Sequence, residues 1–326
     1  MISLGIESTA HTFGVAIFDS STGKFVQKKD SYMTEKGGII PVEAAKHHKN
    51  VSQKLLDELL KEIYLSFKDI DIISYSNGPG LSPCLLEGLR FTKSLAEKHN
   101  KPIVPVNHCI AHLEIGKYFC KTKDPVLLYV SGANTQIISY AARKYRVFGE
   151  TLDMGIGNFI DNFARSAGLG FPGGPKIAEL AKSGKYIEIP YSIKGMDVAF
   201  SGLLTNLKNK LKNYSLEDLS YSLQETAFAM LVEATERALA HLSKKEVLLG
   251  GGVACNERLK EMVSIMCKER GAKAFWPENQ FLVDNAAMIA YTGTLVYKSG
   301  IFLKPEQADI SPYQRTEQVE ITWIKE

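Results

Sequence analysis

Two histidines four residues apart are the first feature able to do chemistry. In His108-Cys109-Ile110-Ala111-His112 a helical backbone puts both imidazoles on one face, roughly 5–6 Å apart at Cβ. Two neutral imidazoles so placed can bind one metal ion. The competing reading is a partly buried pair satisfied by backbone carbonyls. A zinc-peptidase helix has the same spacing, but it needs a Glu directly after the first His, and Cys109 stands there. Glu114 follows at another angle, so proteolysis is disfavoured. Further ligands must come from distant sequence. Tyr129, at a strand end, and Asp284, ahead of a helix, are oxygen donors in suitable places.

Three turns of small or hydroxyl-bearing residues form the second constellation: Glu7-Ser8-Thr9-Ala10-His11-Thr12, Ser131-Gly132-Ala133-Asn134-Thr135 and Gly250-Gly251-Gly252-Val253-Ala254-Cys255-Asn256. Such turns let backbone N–H groups approach phosphate oxygens with no Cβ in the way. One alone is better read as a tight hairpin. Two that open duplicated strand hairpins and one that opens a helix describe the actin-like nucleotide clamp of sugar kinases and heat-shock chaperones. Asp161 can accept hydrogen bonds from ribose hydroxyls, and Gly174 can approach a ribose or base. A helix-face charge and a plain helix start explain them equally well.

The elements that must position these residues alternate β and α. Strands are expected over Ile2–Ile6, Phe13–Phe18, Asp71–Ser76, Pro102–Val106, Val126–Val130, Gln136–Tyr140 and Val247–Leu249. Apolar residues at three- and four-residue spacing predict helices over Pro41–Phe67, Leu85–His99, Glu257–Arg270 and Asp284–Val296. Both halves open with strand, hydroxyl-rich turn, strand. The expected architecture is therefore α/β, with two packed lobes and a cleft between them. One lobe is residues 1–120 completed by 291–326, the other 121–290.

The chain has 326 residues, 45% hydrophobic and 23% charged, which excludes disorder and coiled coil. Its formal net charge of +3 argues against a strongly basic nucleic-acid binder, so any such contact must be local. Lysine clusters at Lys194, Lys208, Lys210 and Lys212, and along Arg90, Lys93, Lys98 and Lys101, can contact phosphates but are more often solvated faces, and His47-His48 reads as a surface pair. Cys84, Cys109, Cys120, Cys255 and Cys267 make an odd count without CxxC spacing. With no signal-like start and no apolar run of bilayer length, the expectation is a cytoplasmic protein with reduced thiols and no membrane segment.

Taken together, Asn77-Gly78-Pro79-Gly80-Leu81, Val106-Asn107-His108-Cys109-Ile110-Ala111-His112, Tyr129-Val130-Ser131-Gly132-Ala133-Asn134-Thr135-Gln136, Pro172-Gly173-Gly174-Pro175, Gly251-Gly252-Val253-Ala254-Cys255-Asn256 and Asp284-Asn285-Ala286-Ala287-Met288 resemble the universal tRNA threonylcarbamoyladenosine transferase family. Its members are TsaD in bacteria and the catalytic subunit of the KEOPS complex in archaea and eukaryotes. The resemblance implies an actin-like two-lobed fold. It also implies transfer of a threonylcarbamoyl group from threonylcarbamoyl-AMP to N6 of adenosine 37, in tRNAs reading codons that begin with A. By the same resemblance His108, His112, Tyr129 and Asp284 are metal ligands, for iron or else zinc. Tyr129, Val130, Ser131, Gly132, Ala133, Asp161, Gly174 and Asn256 line the adenylate site, which an ATP or ADP analogue can also occupy. The implied partners are tRNA, a small protein kinase, a dimerising subunit and a regulator of the kinase. Ala133 stands where the family usually has Gly, and Ala178 where it commonly has an acidic residue, with Glu179 next to it. The alternatives are an actin-like ATPase or small-molecule kinase, which usually has Asp where Glu7 stands, and, further off, a metalloprotease.

Overall fold

The computed structural model describes residues 1–34 and 38–324. Its first sheet joins β1 (Ile2–Glu7), β2 (Thr12–Asp19), β3 (Lys24–Ser31), β4 (Ile72–Gly78) and β5 (Ile103–Asn107) in the order β3-β2-β1-β4-β5. The first three strands are antiparallel neighbours, and β4 and β5 then add in parallel. The second sheet uses β6 (Val126–Val130), β7 (Thr135–Ala141) and β8 (Lys144–Glu150). After a two-stranded ribbon of β9 (Ile193–Lys194) and β10 (Asp197–Val198), it is finished by β11 (Glu246–Gly250) and β12 (Lys273–Phe275). Its order, β12-β11-β6-β7-β8, repeats the first sheet strand for strand, with the same pattern of antiparallel and parallel pairs. The duplication expected from two strand–turn–strand openings is thus real.

Ten helices cover the sheets among the described residues: α1 (Pro41–Glu62), α2 (Ser82–His99), α3 (His108–Cys120), α4 (Ile156–Ser166), α5 (Gly174–Ala181), α6 (Ser201–Lys210), α7 (Leu216–Leu242), α8 (Glu257–Glu269), α9 (Asn279–Leu282) and α10 (Ala286–Lys298). The first helix stops at Glu62, short of the expected Phe67, and Tyr64 has turned left-handed with φ 54°. Its buried face is also wider than the periodicity from Val51 onward suggests. Ala44, Ala45, His48, Ser52, Leu55, Leu56 and Leu59 all face inward. His48 is therefore no surface residue: it is fully buried, its ring 5.5 Å from that of Phe13. Its neighbour His47 stays near the surface and pairs with Asp30 at 3.0 Å.

Helix α3 is the shared piece. Cys109, Ile110 and Leu113 pack with Leu127, Tyr129 and Leu248 of the second sheet. Ala111 and Ile115 pack with Ile72, Val104 and Val106 of the first. Helix α10 returns to the first sheet, where Ala286, Ala287 and Ala290 lie against Ala16 and Phe18. Small side chains on this helix allow the close approach. No helix among the described residues is long and apolar enough to cross a membrane, and all five cysteines are unpaired.

A C-terminal strap follows, without regular structure beyond single turns. Ser311 N–H donates to Asn77 O at 2.6 Å and Tyr75 Oη to Asp309 O at 2.7 Å, which fastens it to β4. Farther along, Arg315 pairs with Glu150 at 3.0 Å and Val147 N–H donates to Glu317 Oε1 at 3.3 Å, which fastens it to β8. Trp323 Nε1 ends the run by donating to buried Glu114 at 3.0 Å.

Candidate functional site

A cleft of about 1790 Å³ opens between the sheets. Its floor is the N-terminus of α3, where Asn107 accepts from Ile110 N–H at 3.2 Å and so starts the helix. One helical turn then brings His108 and His112 together, ring centroids 4.8 Å apart. Asp284 sits just ahead of α10, whose N-cap is Asn285, accepting from Met288 N–H at 3.0 Å. Its Oδ1 lies 3.3 Å from His108 Nε2 and 3.4 Å from His112 Nε2. One donor atom from each of the three residues falls within 4.8 Å of the others. Tyr129, at the end of β6 and 1% exposed, has its ring 5.1 Å from that of His112.

The electrostatics follow from this crowding. Burial disfavours a charge on His108, but Glu7 and Asp284 on either side outweigh it and hold its pKa well above the ordinary value. Burial, with His108 alongside, pushes His112 down. Burial would raise Asp284, yet His108 and His112 hold it well below the carboxylate range. Burial pushes the Tyr129 phenol well up. Glu7, which on sequence is only the counterpart of a kinase Asp, has a structural task here. It accepts from Thr9 N–H at 2.7 Å and reaches His108 Nδ1 at 3.1 Å.

The opposite wall is the turn after β6. Ser131 N–H donates to Asn134 O at 2.8 Å, so this amide, expected to face a phosphate, is already used inside the turn. Gly132 and Ala133 remain, both exposed to the cleft. The turn rests on the start of α4, where Gly157 N–H donates to Ser131 O at 3.1 Å and Asn158 N–H to Gly132 O at 2.9 Å. A Cβ on Gly157 would lie 2.8 Å from both Gly132 Cα and Ser131 O, so glycine is required for this approach. Val130 ends β6 with its side chain in the core.

One turn along α4, Asp161 accepts from Gly173 N–H at 2.7 Å and fixes the loop ahead of α5, while burial pushes its carboxyl up. Gly174 lines the cleft, and a methyl placed on it would meet nothing within 4 Å, so that wall is open. Asn256 caps α8 through Arg258 N–H at 2.9 Å and donates to Gln224 at 2.9 Å. Ala178 faces the cleft, and exposed Glu179 pairs with Lys182 at 2.6 Å. Most of these residues line the one cleft, while His112 and Val130 are buried beside it; Asn107 is legible only within its motif, and Gln224 and Gln314, whose side chains brace the site, come from elements with no motif of their own. The lysine clusters, in contrast, lie outside the cleft lining.

The alternatives lose ground on the same geometry. Cys109 is buried at the position where a peptidase needs its Glu, and Glu114 is tied to Tyr145 and Trp323. Glu7 is engaged by Thr9 and His108.

Comparison with known proteins agrees. Solved structures with similar folds are HypF from T. kodakarensis (TM-score 0.61, 15% identity, 92% of this chain and 48% of that one) and an activator of 2-hydroxyisocaproyl-CoA dehydratase from Clostridium difficile (TM-score 0.56, 12% identity, 95% and 100%). These establish the actin-like fold. A tRNA N6-adenosine threonylcarbamoyltransferase of Thermococcus kodakarensis is 53% identical over 99% of this chain and 100% of its own length. A probable bifunctional tRNA threonylcarbamoyladenosine biosynthesis protein of Methanosarcina mazei is also 53% identical, over 99% of this chain and 60% of its own length. The model of the TsaD family, described as tRNA N6-adenosine threonylcarbamoyltransferase, matches residues 22–291. With the fold, the cleft and these matches in agreement, the chain belongs to the TsaD family of tRNA N6-adenosine threonylcarbamoyltransferases.

Proposed function

We propose that this enzyme takes threonylcarbamoyl-AMP as donor and adenosine 37 of ANN-reading tRNAs as acceptor. The observation that carries the reading is the meeting, in one cleft, of His108 and Asp284, with His112 buried behind them, and the Ser131–Asn134 turn. In the reaction the N6 amine attacks the carbamoyl carbon. A C–N bond forms, the C–O bond to phosphate breaks, AMP leaves and the amine proton is released.

The residues fit a divalent cation. Two imidazole nitrogens and a carboxylate oxygen converge on one point, and Glu7 accepts from the far nitrogen of His108. His108, His112 and Asp284 would hold it, with Tyr129 beside them. Imidazole and carboxylate donors suit iron and zinc alike, and the family resemblance favours iron. Such a cation supplies Lewis acidity toward a carbonyl or phosphate oxygen. The chain's own contribution is placement. The amides of Gly132 and Ala133 receive the leaving phosphate, while Asp161, Gly174 and Asn256 hold the nucleoside end. An activated donor and a positioned amine need no strong protein base.

We take the working lobes as 1–120 with 291–326, and 121–290; Ala286, Ala287 and Ala290, just before that last boundary, pack on the first sheet. We also infer a cytoplasmic setting and KEOPS-type partners: a small kinase, a dimerising subunit and the kinase's regulator. Incubation with tRNA and threonylcarbamoyl-AMP, with and without those subunits, followed by nucleoside mass spectrometry, is the test. Unmodified adenosine 37 in both arms overturns the donor–acceptor assignment.

A further inference from the structure

The strap carries a large aromatic residue that the fold itself does not use. Tyr313 is 90% exposed. Its backbone is nonetheless fixed. Gln314 N–H donates to Ser311 O at 3.0 Å, closing a four-residue turn with Pro312 and Tyr313 at its centre. Proline at the first central position pre-sets the backbone there. The turn is pinned from behind by Ser311 N–H to Asn77 O at 2.6 Å and by Gly80 N–H to Pro312 O at 3.1 Å.

Its place in the cleft is informative. Tyr313 lines the same cavity as His108, Tyr129, Gly132 and Asp284. The next residue, Gln314, accepts from Asn107 Nδ2 at 3.1 Å, and Asn107 directly precedes His108. Tyr313 is therefore anchored, through its neighbour, to the end of the cleft where α3 begins. Arg315 beside it is committed to Glu150 and Glu317, which leaves the ring as the turn's free recognition element. An aromatic carried on a fixed backbone turn offers a flat apolar face to a planar ligand. A purine lifted from its stack is the substrate group that such a face suits.

We propose that Tyr313 is the stacking platform for the acceptor adenine of the tRNA, holding the purine over the end of the cleft marked by His108. This rests on the tRNA-modifying activity of the family and adds where the acceptor base sits. The exposed ring would otherwise serve a protein partner, an alternative the experiment separates.

The experiment uses the protein with its co-purifying subunits, under conditions where the wild type modifies tRNA. Three forms are compared: wild type, Tyr313→Ala and Tyr313→Phe. An anticodon stem-loop carrying 2-aminopurine at the acceptor position reports stacking by its fluorescence. Bound wild type and Tyr313→Phe are expected to quench it, and bound Tyr313→Ala to leave it bright. In turnover, Tyr313→Ala should lower kcat/KM for tRNA about tenfold or more, as loss of a base–aromatic stack does, with the KM for threonylcarbamoyl-AMP unmoved. Equal quenching by the Ala and Phe variants, or equal kcat/KM for tRNA, overturns the proposal. So does a Tyr313→Ala variant that sheds a subunit yet quenches normally, because the ring is then a protein contact. A donor that is not threonylcarbamoyl-AMP would fail the turnover arm for every variant and leave the quenching arm to decide.

Discussion

Glu7 Oε2 lies 3.1 Å from His108 Nδ1, and the other nitrogen of the same ring lies 3.3 Å from Asp284 Oδ1. One imidazole is thus gripped by carboxylates from the beginning and the end of the chain. Glu7 holds a proton on Nδ1, so Nε2, on the Asp284 side, is the nitrogen left to a metal ion that displaces its proton.

From this follows the first prediction. Glu7→Gln should fold normally and weaken metal binding about 10–100-fold, the usual cost of losing a carboxylate behind a ligating histidine. Competition titration against a chromogenic chelator measures it. His108→Ala with His112→Ala should abolish stoichiometric metal altogether, and metal retained by that double variant would remove these residues from the ligand set.

A second concerns the support under the Ser131–Asn134 turn. Alanine at Gly157 places a methyl 2.8 Å from Ser131 O and Gly132 Cα, so the turn must move. Such overpacking costs about 1–3 kcal/mol. The expected outcome is a donor KM raised tenfold or more, with a melting temperature lowered by about a few degrees. Gly174→Ala, where the same methyl meets open space, is the control for glycine loss without a clash.

Acid stability should depend on His48. Burial, with His47 beside it, lowers its pKa from 6.5 to about 4. The unfolded chain therefore binds this proton at a higher pH than the folded one, and stability falls as pH drops from about 6.5 toward 4. The full effect is on the order of 3 kcal/mol at one pKa unit per 1.36 kcal/mol. Urea unfolding at pH 7 and pH 5 should show the loss in wild type and a much smaller one in His48→Leu. Equal slopes in the two proteins would exclude His48 as the source.

The strap can be tested at its crossing point. Gly78 has φ 153°, and a Cβ there would lie 1.9 Å from Ser311 O. Gly78→Ala should displace the strap without unfolding the sheets. Limited proteolysis is expected to cut within 309–316 many times faster than in wild type, and an unchanged cleavage rate would show that the strap tolerates the methyl.

Much of the architecture is legible because its signals are local. The two strand–turn–strand openings have hydroxyl and glycine residues that periodicity cannot hide, and both sheets form around them. His108 and His112 need one helix turn to meet. What escapes has a physical reason. His48 sits one turn before Val51, and an ionisable residue in a mostly polar stretch gives no sign that Ala44, Ala45 and Ser52 extend the buried stripe. Glu7 is a lone carboxylate whose partner is 101 residues away. Gln314 lies 207 residues from Asn107 in a segment with no repeating pattern, so nothing local announces the pairing. The Ser131 amide is expected to meet phosphate, and the turn's own closure consumes it.

The strap also bears on how the two halves can breathe. Its bonds to β4 and β8 cross the rim, so swinging the lobes apart about α3 would stretch Arg315 from Glu150 or Ser311 from Asn77. A sideways slide of one sheet past the other strains these ties less than a wide gape does. The molecule should therefore admit its substrates through a rim of nearly fixed width. In hydrogen exchange, the amides of Gly80 and Ser311 should open together as one unit, slower than the free turns around them.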